Sequence, residues 1–166
     1  HWSAMFIQYC MQDNEKFVAM QKRGTGAPRD GGSHHKYYWS GRDNWKKLMR
    51  GKLDDPYEWI FFTIKEARKI GYVARPGDLA FAQMRSRPIQ NAIDKKIWAN
   101  AGLHADIVTQ TSTNLSSASS MKAIGGNLAP KGKTGTVAYA KSTRYAFMSQ
   151  RPETKDKVRE AYNLPK

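Results

Sequence analysis

Cysteine is nearly absent: Cys10 is the one thiol in 166 residues. That excludes an intrachain disulfide and any cysteine-based zinc site, and in the apolar run AMFIQYCM the thiol reads as a small buried hydrophobe. Acidic residues are scarce as well, 14 Asp and Glu against 28 Lys and Arg, for a formal charge of +14. An excess of that size repels itself until a polyanion neutralises it. Long apolar runs are missing too. None approaches the roughly 20 residues of a membrane-spanning helix, so no span is expected. The chain starts at His1, which fits either a removed leader, with an organellar host (mitochondrion or plastid) favoured, or a fragment of a longer protein.

The motifs of catalysis and nucleotide binding are also missing. His34 and His35 suggest a metal, but adjacent side chains diverge, the other histidines are His1 and His104, and no acid cluster stands near them. The stretch GGNLAPKGKTGT approaches a phosphate loop but places five residues, not four, between Gly126 and Gly132. Pro130 also removes a donor where the cradle needs one. No nucleophile elbow of the G-x-S-x-G type occurs. Glu58 and Glu66, with Lys65 and Lys69 beside them, read as surface charge. No cofactor, metal or small-molecule substrate is expected, and a non-enzymatic protein is.

Periodicity predicts a mainly α fold. Residues 1–23 read as an amphipathic helix with Met5, Phe6, Tyr9, Cys10, Phe17 and Met20 on its stripe. Residues 24–53 read as a basic aromatic arm, entered through a Gly-rich loop over 24–36. Residues 54–104 form the expected core, a helical hairpin over about 55–101. Its first helix would be capped by Asp55, Pro56 and Glu58 and stopped at Gly71, with Trp59 and Phe62 off the main stripe. Its second would be capped by Asp78 and carry Ile89, Ile93 and Ile97. Residues 105–166 read as an extended Ser-, Gly- and Lys-rich segment with short strands at 106–110 and 135–140, closed by a helix from Pro152 to near Asn163.

What the chain has in abundance is cations interleaved with aromatics. In HHKYYWSGRDNWKKLMR, the cations Lys36, Arg42, Lys46, Lys47 and Arg50 alternate with Tyr37, Tyr38, Trp39 and Trp45. Cations neutralise phosphates and exposed rings stack on unpaired bases, although the tryptophans suit the protein's own core equally well. Arg29 precedes this patch, Arg85 and Arg87 flank a turn, and Lys131, Lys133, Lys141, Arg144 and Arg151 form an acid-free run. These residues are the candidate contacts to RNA or an acidic partner. Two functions follow. The first is a basic structural protein contacting RNA phosphates in a ribonucleoprotein such as a ribosome, with rRNA as partner. The second is a linker or accessory subunit of an organellar respiratory or light-harvesting complex with acidic protein partners, its Trp and Arg residues acting as anchors.

Overall fold

A computed structural model of the protein describes residues 6–7, 9–10, 34–83, 103–115, 121–126, 137–139 and 143–165. The run DDPYEWIFFTIKEARKIGY, expected to be one central helix, divides into a turn, a strand and a short helix. Asp55 does cap locally, its carboxylate accepting from the Tyr57 backbone N–H at 2.8 Å, but the result is a turn. Strand β1 (Ile60–Thr63) follows, with all its residues buried. Successive strand residues point to opposite faces, so Ile60, Phe61 and Phe62 can all be buried only in a sheet covered on both sides. Trp59 and Phe62, the residues that left the helical stripe, belong to that pattern. Helix α2 (Ile64–Lys69) then begins at a capping box: Thr63 Oγ1 accepts from the Glu66 N–H at 3.3 Å, and Glu66 accepts from the Thr63 N–H at 2.8 Å. Gly71, at φ +57, supplies the left-handed stop, with Tyr72 N–H donating to the Ala67 carbonyl and Gly71 N–H to that of Arg68.

The mainly α expectation is therefore corrected. A six-stranded antiparallel sheet carries the fold, in the order β1-β6-β2-β3-β4-β5. Its other strands are β2 (Leu79–Gln83), β3 (Leu103–Val108), β4 (Ala123–Gly126), β5 (Val137–Tyr139) and β6 (Arg144–Ser149). The predicted second helix of the hairpin begins, in fact, with β2. Asp78 caps no helix; it closes the Arg75–Asp78 turn, where Pro76 and Gly77 (φ +91) occupy the central positions of a type II geometry. Residues 84–102, including Ile89, Ile93 and Ile97, lie outside the described residues. The extended reading of 105–166 gives way to paired strands, because β6 lies between β1 and β2 inside the sheet. The strands expected at 106–110 and 135–140 overlap β3 and β5. Helix α3 (Pro152–Ala161) stands where it was expected, with Pro152 and Glu153 in its first turn.

Each face of the sheet has its own core. On one, Phe61, Leu79, Phe81, Leu103, Ala105, Ala146 and Met148 pack with Trp59 and Ile7. Residues 6–7 and 9–10 are helical; Ile7 turns inward, while Tyr9 is 69% exposed and Cys10, read as buried, is also exposed. On the other face, Phe62 meets Tyr72 at 4.8 Å and Trp45 at 5.7 Å between ring centroids, and Tyr72 meets Phe147 at 5.3 Å. Such aromatic pairs add about 0.5–1.5 kcal/mol each beyond their burial.

Helix α1 (His34–Met49) occupies most of the expected basic arm. Ser40, Gly41, Asp43 and Asn44 are weak helix formers, so packing rather than propensity holds it. Gly41 makes the close approach possible, since a Cβ there would stand 2.7 Å from Met148 Cε and 3.0 Å from Phe61 Cβ. Asn44 fastens the same surface, donating to the Trp59 carbonyl at 3.0 Å and to Glu58 at 2.8 Å.

Two predictions follow from this packing. Gly41→Ala, neutral or better in an isolated helix, should destabilise the protein by about 1–3 kcal/mol in chemical denaturation, because α1 must lift from β1. The second concerns Lys155, buried under α3 with its Nζ 2.9 Å from the Gln150 carbonyl. Burial lowers its pKa to about 7, against the opposing pull of Asp55 and Glu58. The unfolded chain keeps that proton up to about pH 10.4, so between the two values it binds more protons and stability rises with pH. Below about 7 both states are protonated and this contribution is flat. Lys155→Met should abolish the rise between pH 7 and 10 and add on the order of 1 kcal/mol at pH 6, measured by urea denaturation across pH.

Candidate functional site

Helix α2 is short, and the direction of each of its side chains follows from its ends and neighbours. Ala67 is buried and Ile64 half-buried against the sheet. Glu66, its one acid, turns toward the preceding residues through the capping box and toward α1 through Arg42. Arg42 Nη1 and Nη2 donate to Glu66 Oε2 and Oε1 at 2.8 Å each, a bidentate pair with both side chains mostly shielded from water. Lys65, Arg68 and Lys69 are left facing outward and exposed. Among the described residues no carboxylate pairs with any of them. Lys69 covers the Tyr162 ring at 3.7 Å, and that ring meets Trp45 edge-on at 6.0 Å. Lys65 lies three and four residues from Arg68 and Lys69, spacings at which like charges repel by about 0.2–0.5 kcal/mol per pair. The helix dipole accounts for cations in the last turn but not for Lys65 in the first.

Arg68 connects this cationic helix to a cleft of about 510 Å³, lined also by Gly71, Tyr72, Val73, Thr113, Asn114 and Leu115. Its far wall is held by the paired backbone of Ala74 and Ser112, at 3.0 and 2.9 Å. Beyond the Tyr72–Val73 strap lies a smaller cleft of about 20 Å³, walled by Arg75, Arg151, Glu153, Thr154 and Lys157. Asp78 anchors the strap from below, accepting from Tyr72 Oη at 2.7 Å and from the Arg75 N–H at 3.0 Å, with Arg151 Nε at 3.4 Å. Burial raises the Asp78 pKa, only partly offset by the hydrogen bonds from Tyr72 and Arg75 and by the Arg151 charge. Burial, reinforced by the negative Asp78, holds the Tyr72 hydroxyl well above its usual range. These groups are committed to the scaffold, whereas Arg75 is exposed at the rim.

The residues expected to grip a partner are divided by the fold. Lys46 and Lys47 lie on the last turn of α1 and Arg50 just beyond it, with Lys46 half-exposed and the other two exposed. Trp39 packs half-buried against the core, and Trp45, 3% exposed, is part of it. Arg42 is engaged by Glu66. Arg144 is fully buried beside Asp106, and Arg151 reaches Asp78 and the Pro76 carbonyl. Lys36, Tyr37 and Tyr38 lie on the helical backbone of α1. Arg29, Arg85, Arg87, Lys131, Lys133 and Lys141 lie outside the described residues. His34 and His35 begin α1, and among the described residues no three His, Cys, Asp or Glu side chains gather as a metal would require. Nor is any helix among them long and apolar enough to cross a membrane.

The outward face of α2 was not among the expected contacts. Its signal is the segment TIKEARK: a T-x-x-E capping box engages its one acid locally and leaves the three cations outside. Compared with protein-family models, curated proteins and solved structures, the chain matches none.

Proposed function

We propose that the protein is a non-enzymatic, basic structural component of a ribonucleoprotein. In this reading it contacts RNA phosphates through the exposed cations of α2 and the adjoining ends of α1 and the cleft. The observation that carries this is the outward face of α2, where Lys65, Arg68 and Lys69 have no carboxylate partner among the described residues because Glu66 is held by Arg42. A phosphate backbone relieves that repulsion, and the formal charge of +14 supplies long-range attraction. The contacts position the protein on RNA by charge and shape, with little base readout. Trp45, one of the rings considered for base stacking, belongs to the core, so stacking by that ring is not part of the proposal. Its burial also weakens the acidic-protein alternative, which relied on the same aromatics as surface anchors.

The test is the binding of a structured RNA hairpin followed by fluorescence anisotropy across salt concentrations. The logarithm of affinity should fall linearly with the logarithm of salt. Lys65→Ala with Arg68→Ala should weaken binding and reduce the slope by about 0.7–0.9 for each cation removed. A flat salt response, or no binding at low salt, rejects RNA as the partner and favours an acidic protein.

A further inference from the structure

The sequence HADIV places His104 and Asp106 two apart on β3, hence on the same face of the sheet. Their neighbours across β2 are small: Ala82 lies opposite His104 and Ala80 opposite Asp106. On the other side of β2, the register with β6 shifts between Phe81 and Ala82. That irregularity sets Arg144, not Tyr145, opposite Ala82, and leaves Tyr145 38% exposed. With only methyl groups between them, Arg144 reaches across β2 to Asp106.

The resulting cluster is buried and specifically connected. Arg144 Nη1 donates to Asp106 Oδ2, and His104 Nδ1 lies 3.1 Å from Asp106 Oδ1. His104 Nε2 lies 3.0 Å from the Gly126 carbonyl oxygen, so both ring nitrogens face acceptors. Burial pushes the Asp106 carboxyl up, but the His104 hydrogen bond and the charges of Arg144 and His104 outweigh it and hold it below its usual range. Oδ2 of the carboxylate is engaged by Arg144 and Oδ1 faces His104 Nδ1. Arg144 has donors to spare. Its Nε and Nη2 are buried and have no hydrogen-bond partner among the described residues. These are the two nitrogens whose N–H bonds run parallel along the side of the guanidinium, the edge that matches the two oxygens of a carboxylate or phosphate. A buried charged donor left unmet is costly, and here two point the same way.

We propose that the Nε/Nη2 edge of Arg144 is an oxyanion site, taking a phosphate or carboxylate group in a side-on bidentate contact. Asp106 fixes the guanidinium from its other side through Nη1, and His104 in turn fixes Asp106. Thr143, next to Arg144 in the chain at the start of β6, is exposed. The site lies at the opposite end of β6 from Arg151 and the clefts beside α2, so it does not depend on RNA binding there.

Arginine side-chain NMR on the full-length chain tests this, following the Arg144 Nε–Hε resonance during separate titrations with inorganic phosphate and with acetate. A saturable downfield movement of that resonance is expected with at least one of them, and the responding anion identifies the ligand class. Arg144→Lys keeps the charge but loses the parallel donors. The rise in melting temperature produced by that anion should then require about tenfold more anion than in the wild type. An Arg144 Hε unmoved by either anion overturns the proposal. So does a lysine variant that responds like the wild type, which would leave only general attraction of anions to a basic surface. If the lysine variant does not fold, the wild-type titration decides alone.

Discussion

The Glu66 carboxylate joins the fold and the proposed interface. It accepts from the Thr63 N–H and Oγ1 to start α2, and from both terminal nitrogens of Arg42 to hold α1 beside it. Arg42 in turn lies over Trp45, 5.6 Å from the ring, and Trp45 fills the core between Phe62 and Tyr162. One acid therefore serves as helix cap, inter-helix bond and anchor of an aromatic cluster. The same engagement strips α2 of negative charge on its outer side. Structural and functional roles here are two consequences of where one carboxylate points.

The same allocation recurs elsewhere. Asp106 faces Arg144 and His104, and Asp78 faces Tyr72 and Arg151. In a chain with 14 acids, placing several of them against interior cations leaves fewer to balance the surface. The net charge of +14 thus understates how one-signed the outward face of α2 is. It also shows why a basic residue in the sequence is poor evidence of a surface contact. Arg144 and Lys47 look alike in a composition table, yet one is fully buried and the other exposed.

Local chemistry was legible in the sequence where backbone geometry determines it. Pro152 starting α3, Gly71 ending a helix and Asp55 capping a turn all stand where their residue types place them. What misled was period. In IFFTIKEARK a two-sided strand runs directly into a helix, and the consecutive apolar residues of the strand supply enough matches to extend a helical stripe backward. Trp59 and Phe62 were the residues in conflict with it. The interior strand β6 escaped notice because its last four residues are all buried without alternation and it opens on a buried arginine, whose partner Asp106 is 38 residues away in the chain. Helix α1 escaped for the opposite reason, since its stability comes from contact with β1 through Gly41 and Asn44 rather than from its own propensities. The exposed cations of α2 could be read as charged residues, but their isolation from acids depends on Arg42, 24 residues before Glu66.

The pairing of Glu66 with Arg42 is therefore the point on which the account is most exposed, and a double-mutant cycle measures it directly. Arg42→Met, Glu66→Gln and the double variant would be compared with the wild type by urea denaturation at low salt. A coupling energy of about 2 kcal/mol is expected, as for a shielded, bidentate, charge-assisted contact. Single-variant effects that add to within about 0.5 kcal/mol would contradict it, since Glu66 would then be an ordinary surface acid available to neutralise α2.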